Sequence, residues 1–199
     1  CYPIAKDVED IVISHFGVNQ DKVKIQSLGV DLELFQRPKD DLYLKKRNQY
    51  RNKLGFDDSD IVCIYTGRLT KSKNPLCLAK AINYLNDLNK PFKGLFVGNG
   101  TDAYNEKIIQ NKGCIINPFV IVDNLPPFYW ASDIGVWPRQ ESTSQLDAMS
   151  AELPLILSDK IETKERIENN GLLYLEDDFE NLAKKLLSLE NKSFRSDLG

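Results

Sequence analysis

A basic loop follows the first long apolar run of this chain, and its residue types suit phosphate chemistry. The segment Gly67–Pro75 reads GRLTKSKNP and contains Arg68, Lys71 and Lys73. Arginine offers a planar fork of donors to phosphate oxygens, and lysine offers a mobile point charge. A helix predicted to start at Asn74-Pro75 would add its N-terminal dipole. The pattern predicts contact with phosphates, although a solvated basic loop would have the same composition.

A second loop contains two glycines that flank one asparagine. Val97-Gly98-Asn99-Gly100 follows another apolar run, and glycine lets a backbone turn sharply and approach a ligand closely. A simple turn of the Asn-Gly type is the alternative interpretation. The segment does not match G-x-G-x-x-G, so it provides no dinucleotide-binding fingerprint.

A third loop combines hydroxyl side chains with a carboxylate. Ser142 and Gln145 have the spacing of a capping box, which predicts a helix start whose free N–H groups could bind an anion or a hydroxyl. Ser144 and Asp147 are three residues apart and would share a helix face. A carboxylate in that place could hold two neighbouring sugar hydroxyls. Alternatively, the serines only cap the helix and Asp147 is a surface residue.

Regular alternation of strands and helices from residue 61 onward would bring these loops together. The predicted strands are 61–67, 92–98, 114–120, 133–138, 154–158 and 172–175, and the predicted helices are 75–88, 102–110, 126–131, 143–151, 162–169 and 178–189. This order predicts an α/β fold with one parallel sheet. Ligands of such sheets bind beyond the carboxyl ends of the strands.

The segment before this alternation is less regular. It is predicted to contain a helix over 5–16, a strand over 22–27 and a polar helix over 42–54. We interpret residues 1–40 as an approach segment and residues 41–199 as one domain.

Composition excludes several classes of protein. The chain has 199 residues and a net charge of −3, so it has no electrostatic footprint for nucleic acid. Its four cysteines show no C-x-x-C spacing, which argues against a zinc site. The lone His15 lies far from the loops, so no Ser/His/Asp arrangement can be built. The single methionine is Met149, and we therefore expect a piece of a longer protein.

Taken in order, these segments resemble the C-terminal half of retaining GT-B glycosyltransferases, in the group that includes glycogen and sucrose synthases. The matching segments are SLGVDLELF, GRLTKSKN, FVGNG, VDNLPPFYWASDIGVWPRQES and QLDAMSAELPLILSD. The resemblance implies a Rossmann-like parallel sheet flanked by helices, one of two facing domains. In that group the C-terminal domain binds a nucleotide-sugar donor and the N-terminal domain binds the acceptor.

The resemblance also implies roles for individual residues. Arg68 and Lys73 match the pair that contacts the donor diphosphate, and Glu141 is the nearest candidate for the acid that reaches the donor sugar. Asp147 matches the acid that holds the ribose hydroxyls. The remaining donor-binding candidates are the glycines Gly67, Gly98 and Gly100, the backbone N–H groups of Ser142, Thr143 and Ser144, and the base-lining residues Phe119, Val120 and Val122.

Several positions depart from the family pattern. The last acid of the E-x7-E motif is Asp147, and Glu141 precedes it with five residues between rather than seven. Arg139 occupies the place eight residues before Asp147. Glu152 stands where the family has glycine, and the left-handed conformation would strain it by about 1 kcal/mol. Asn74 likewise replaces a glycine.

The resemblance implies hexosyl transfer from a nucleotide diphosphate sugar to an acceptor hydroxyl, with retention and without a metal or other cofactor. The acceptor would be a saccharide or lipid-linked molecule bound by the missing N-terminal domain, as in polysaccharide biosynthesis. The expected location is the cytoplasm, or the inner face of a membrane with which the full-length protein associates peripherally. The alternatives are a non-catalytic nucleotide-binding module and a GT-B epimerase. We expect Trp130 in the core and Trp137 on an exposed domain interface.

Overall fold

The computed structural model describes residues 1–199 except Ala5, Ser27 and Asp40, and it leaves the side chains of Lys164 and Glu165 undescribed. The chain forms two compact units, Cys1–Val30 and Asp31–Gly199.

The first unit contains one helix and one short turn. Helix α1 is Lys6–Ser14, and Gly17, with φ +66°, accommodates the left-handed conformation after it. A 3₁₀ turn covers Gln20–Lys22. The predicted strand over 22–27 is wrong for residues 22–26, and Ser27 lies outside the described residues. Lys24 N donates to Cys1 O at 3.0 Å and Gln26 N to Pro3 O at 2.9 Å, but these two bonds form no strand among the described residues.

The second unit is built on a sheet of six parallel strands, which confirms the predicted fold class. The strands are β1 (Ile61–Thr66), β2 (Phe92–Val97), β3 (Cys114–Asn117), β4 (Ile134–Trp137), β5 (Leu155–Ser158) and β6 (Gly171–Tyr174). Their spatial order is β3-β2-β1-β4-β5-β6. Strand order therefore reverses between β1 and β4, and such a switch point opens a crevice at the carboxyl edge of the sheet.

Helices flank this sheet. They are α2 (Leu32–Phe35), α3 (Asp41–Leu54), α4 (Pro75–Asp87), α5 (Asp102–Ile109), α6 (Pro126–Trp130), α7 (Ser144–Ser150), α8 (Phe179–Ser188) and α9 (Lys192–Leu198). The helix predicted over 162–169 is reduced to a 3₁₀ turn at Lys164–Ile167, and α2 and α9 were not predicted.

A buried ion-pair cluster joins α3 to the sheet. Asp133 accepts hydrogen bonds from Arg47 at 2.8 Å, from Arg51 at 3.2 Å and from the backbone N–H of Val62 at 2.8 Å. Arg51 is only 1% exposed, and its terminal nitrogens also donate to the backbone carbonyls of Ala131, Asp57 and Asp60, whereas its Nε has no partner among the described residues. Arg47 and Arg51 of the predicted polar helix therefore attach α3 to the start of β4.

Both tryptophans belong to the core. Trp130 is buried as predicted, and its Nε1 donates to Phe35 O at 3.1 Å. The expectation that Trp137 marks an exposed interface is wrong, because this side chain is 1% exposed. No helix within the described residues is both long and apolar enough to cross a membrane.

Candidate functional site

A cleft of about 370 Å³ lies at the carboxyl edge of the sheet, at the switch point. Its walls come from the loops after β1, β2, β3 and β4, and the lining residues are Thr66, Gly67, Arg68, Val97, Gly98, Asn99, Phe119, Val120, Leu125, Ser142 and Ser144. The loops predicted to carry chemistry therefore meet around one volume. Phe119, which is 66% exposed, gives the β3 side of the cleft an apolar wall.

The glycines are required by the packing of one loop against the next. Gly67 N donates to Val97 O at 3.0 Å, and Leu69 N donates to Asn99 O at 2.9 Å, so the parallel pairing continues beyond the strands. A Cβ on Gly98 would lie 1.9 Å from Gly67 O, and one on Gly100 would lie 2.6 Å from Leu69 O. The close backbone approach expected from these glycines is thus made to the neighbouring loop of the same chain.

A hydrogen-bond network around the end of β1 holds the floor of the cleft. Thr66 O accepts from Trp137 Nε1 at 3.1 Å and from Ser144 Oγ at 3.2 Å. The Thr66 hydroxyl bonds to Tyr129 OH at 2.8 Å, and Ser144 Oγ bonds to Ser142 Oγ at 2.7 Å. Trp137 and Tyr129 therefore fix the start of α7 relative to β1, and the serine hydroxyls belong to this scaffold.

The predicted capping box does not form. Helix α7 begins at Ser144, and its preceding residue Thr143 makes no side-chain cap. The Gln145 amide instead donates to Gln140 O at 3.4 Å and accepts from Arg166 at 2.7 Å. Within the described part of the chain, the backbone N–H groups of Ser142, Thr143 and Ser144 have no hydrogen-bond acceptor, so they remain able to bind an anion or hydroxyl.

Two cations stand at the rim of the cleft. Among the described residues, no partner binds the exposed Arg68 guanidinium. Lys73 Nζ donates to Glu141 O at 3.0 Å and so reaches from the β1 loop to the β4 loop. Burial, and secondarily the positive charge of Arg68, lower the pKa of Lys73. Both side chains belong to the loop between β1 and α4.

The Glu141 carboxylate binds the chain segment that follows β5. Its carboxylate accepts from Glu162 N at 2.7 Å and from Thr163 N at 3.4 Å. Burial acts to raise the pKa of this carboxyl, but these backbone hydrogen bonds and the charge of Arg166 outweigh it, and the net shift is downward. Glu141 therefore holds the segment after β5, and its assignment to the donor sugar stays a prediction.

Asp147 occupies an unfavourable place for a carboxylate. It is half-buried on α7 and receives no hydrogen bond from any described residue. Burial raises its pKa to about 6. A buried carboxylate without donors gains from a ligand that supplies hydroxyl groups. This property fits the predicted ribose contact, which remains a prediction because Asp147 does not line the cleft.

Several non-glycine residues adopt left-handed backbone conformations. Glu152 has φ +55° and Asn74 has φ +48°, as expected for positions where the family has glycine. Gln140 has φ +58° and Asp177 has φ +69°. Asp177 accepts from Arg139 Nε at 2.8 Å, and this ion pair lowers the pKa of Asp177 and raises that of Arg139.

The structure brings part of the predicted set to the cleft wall. The predicted residues that line it are Gly67, Arg68, Gly98, Phe119, Val120, Ser142 and Ser144, whereas Lys73, Gly100, Val122, Glu141, Thr143 and Asp147 lie outside the lining. The sequence interpretation assigned no role to Thr66, Val97, Asn99 or Leu125. Asn99 could have been found from the two glycines around it. Its Oδ1 accepts from Phe119 N at 3.0 Å and orients the apolar wall.

Residues 60–192 match the family described as Glycosyl transferases group 1. The chain belongs to this family. Among curated proteins, this group 1 domain is 27% identical to spore coat protein SA of Bacillus subtilis over 185 residues, covering 85% of the chain and 49% of that protein.

Solved structures support the same fold. A glycosyltransferase from Rickettsia africae superposes with a TM-score of 0.80 at 18% identity, covering 99% of this chain and 55% of that one. HepE of Anabaena, solved in complex with UDP and glucose, gives 0.79 at 16% identity, covering 99% and 55%. The chain thus spans about half the length of these relatives. The resemblance to a GT-B glycosyltransferase C-terminal domain is confirmed for family and fold.

Proposed function

We propose that this chain is the donor-binding half of a glycosyltransferase that moves a hexosyl group from a nucleoside diphosphate sugar to an acceptor hydroxyl. The observation that carries the proposal is the cleft at the switch point. It combines an Arg68 guanidinium and backbone N–H groups of Ser142–Ser144 that have no partner among the described residues with an apolar wall at Phe119. This combination suits a diphosphate joined to a flat base. Family membership and the UDP-bound HepE structure support it.

Within this proposal, Arg68 and Lys73 act on the departing diphosphate. Negative charge grows on the leaving oxygen as the glycosidic bond breaks, and fixed cations stabilise that charge most strongly in the transition state. The two side chains would take the part that a divalent metal has in other transferases, so we propose metal-independent transfer. Phe119 and Val120 would face the base, and the carboxylate of Asp147 would accept hydrogen bonds from the ribose hydroxyls.

The remaining features of the whole reaction depend on the other half of the protein. We propose that an N-terminal domain binds a saccharide or lipid-linked acceptor and closes over the cleft, excluding water during transfer. Retention of anomeric configuration, a part in polysaccharide biosynthesis, and action in the cytoplasm or at the inner face of a membrane belong to the same proposal, on the strength of the family resemblance.

Calorimetric titration of this chain with UDP, GDP and ADP, and then with their sugars, tests the donor site. One nucleotide should bind, and Arg68→Ala should weaken its affinity at least tenfold, the loss of about 1.4 kcal/mol. Lys71→Ala is the matched control, because Lys71 is an exposed cation of the same loop outside the cleft. Absence of binding by all three nucleotides, or equal losses in both variants, would contradict the proposal.

Turnover by the full-length protein tests the catalytic assignment. Alanine at Arg68 or Lys73 should lower kcat at least ~10²-fold, by analogy with the loss of one oxyanion donor. Addition of a metal chelator should leave the rate unchanged. An undiminished rate in the double variant would exclude the proposed role of both cations.

A further inference from the structure

Two departures from the family pattern meet on one carboxylate. Arg139, in the place of the first acid, donates through Nε and a terminal nitrogen to both oxygens of Asp177. Asn74, in the place of a glycine, donates through Nδ2 to Asp177 Oδ1 at 2.8 Å. Asp177 follows β6, Arg139 follows β4 and Asn74 begins α4. One side chain therefore joins three loops at the carboxyl edge of the sheet.

Backbone strain is concentrated around the same cluster. Asn74 (φ +48°), Gln140 (φ +58°) and Asp177 (φ +69°) are non-glycine residues in the left-handed region. Each such residue is tolerated only where its surroundings hold it in place. The hydrogen bonds of Asp177 hold Asn74 directly, and hold Gln140 through its neighbour Arg139.

The cluster connects to the rim of the cleft through Lys73. The backbone of Lys73 continues directly into Asn74. The Lys73 ammonium group donates to the backbone oxygen of Glu141 at 3.0 Å, and Glu141 lies two residues beyond Arg139. The Lys73 backbone and the acceptor of its ammonium group thus both lie in loops that hydrogen-bond to Asp177. Displacement of either loop would move the ammonium relative to Arg68.

A direct role for Arg139 in binding an anion is the competing interpretation, and charge balance disfavours it. Asp177 engages two of its nitrogens, and Glu176 lies 3.8 Å from its Nε. Lys160 is the second cation, 3.6 Å from Glu176. The two cations are therefore balanced by the carboxylates of Asp177 and Glu176, and the cluster has no excess positive charge to attract an anion.

We propose that Asp177 is a positioning residue that sets the place of Lys73 for the donor diphosphate by linking the loops after β4 and β6 to the start of α4. This inference rests on the proposed donor site. It predicts that loss of the whole Asp177 side chain weakens nucleotide binding only while Lys73 is present.

A double-mutant cycle on UDP, or on whichever nucleotide the unmodified chain binds, tests the inference by calorimetry. Asp177→Gly removes the carboxylate and suits the positive φ, so the variant should fold, and its Tm is measured first. It should weaken binding about tenfold. Asp177→Asn keeps an acceptor for Asn74 and should restore affinity to within about threefold. Asp87→Asn, which removes the exposed partner of Lys112, controls for general loss of an ion pair.

The decisive comparison is made in a Lys73→Ala background. There, Asp177→Gly should change the affinity less than about twofold, because the group that it positions is gone. A tenfold loss that persists without Lys73, or wild-type affinity for Asp177→Gly, would overturn the positioning role while the donor site stands. If the unmodified chain binds no nucleotide, the proposed function fails and the positioning role fails with it.

Discussion

Replacement of Asp147 by asparagine should stabilise the chain at neutral pH and weaken its proposed ligand contact. Burial raises the pKa of this carboxyl from 3.8 to about 6, so the folded state holds the proton more tightly than the unfolded state does. Stability from this group is present below about pH 4 and is lost as pH rises through 6. The difference between these two pKa values corresponds to about 3 kcal/mol of unfolding free energy. Because the group is only half-buried, we halve the penalty to about 1.5 kcal/mol at pH 7.5.

Urea unfolding at pH 4 and pH 7.5 measures this effect. Asp147→Asn should match the unmodified chain within about 0.5 kcal/mol at pH 4 and exceed it by about 1.5 kcal/mol at pH 7.5. Glu106→Gln, an exposed change within α5, should stay within about 0.5 kcal/mol at both values. Nucleotide affinity of Asp147→Asn should fall at pH 7.5, since the asparagine lacks the charged acceptor. A variant less stable than the unmodified chain at pH 7.5 would refute the desolvation argument.

Three further substitutions test the scaffold by urea unfolding. Glu152→Gly should raise stability by about 1 kcal/mol, since φ +55° strains glutamate and suits glycine; no gain would contradict the strain. Gly98→Ala should cost at least about 3 kcal/mol, because its Cβ would lie 1.9 Å from Gly67 O, whereas Gly55→Ala meets no neighbour and should cost about 1 kcal/mol; equal costs would refute the steric reasoning. Asp133→Ala should cost about 3–5 kcal/mol by leaving the buried Arg51 uncompensated, and a cost under 1 kcal/mol would disprove this.

The strands of the parallel sheet could be predicted because each is marked by a local run of apolar residues. Residues 61–66 are apolar or buried throughout, which is typical of a strand covered on both faces. The helix predicted over 162–169 shortened to a 3₁₀ turn for a non-local reason. The backbone N–H groups of Glu162 and Thr163 bind the Glu141 carboxylate, and this contact sets the chain direction before the turn.

The capping box and the exposed Trp137 were mispredicted because the decisive partners lie far away in sequence. Gln145 accepts from Arg166, 21 residues distant, and the Ser142 hydroxyl bonds to Ser144 Oγ, which also donates to Thr66 O, 78 residues distant. These contacts occupy the two side chains that a local capping box would use. Likewise, the Trp137 indole bonds to the end of β1, which makes it a structural member of the switch point rather than a surface residue.

The loop after β4 shows why position-by-position comparison with a family loses information. Judged alone, Arg139 in the place of an acid indicates a damaged donor site, and Asn74 in the place of glycine indicates an unrelated backbone strain. In the structure both bind Asp177, which lies 38 residues beyond Arg139 and 103 beyond Asn74. Arginine in the place of an acid is favourable at position 139 because Glu176 and Asp177 supply negative charge beside it. Arg139, Asn74 and Asp177 must therefore be interpreted together. In the proposed donor site, we therefore expect their joint effect on Lys73, rather than the identity of any one of them, to decide nucleotide affinity.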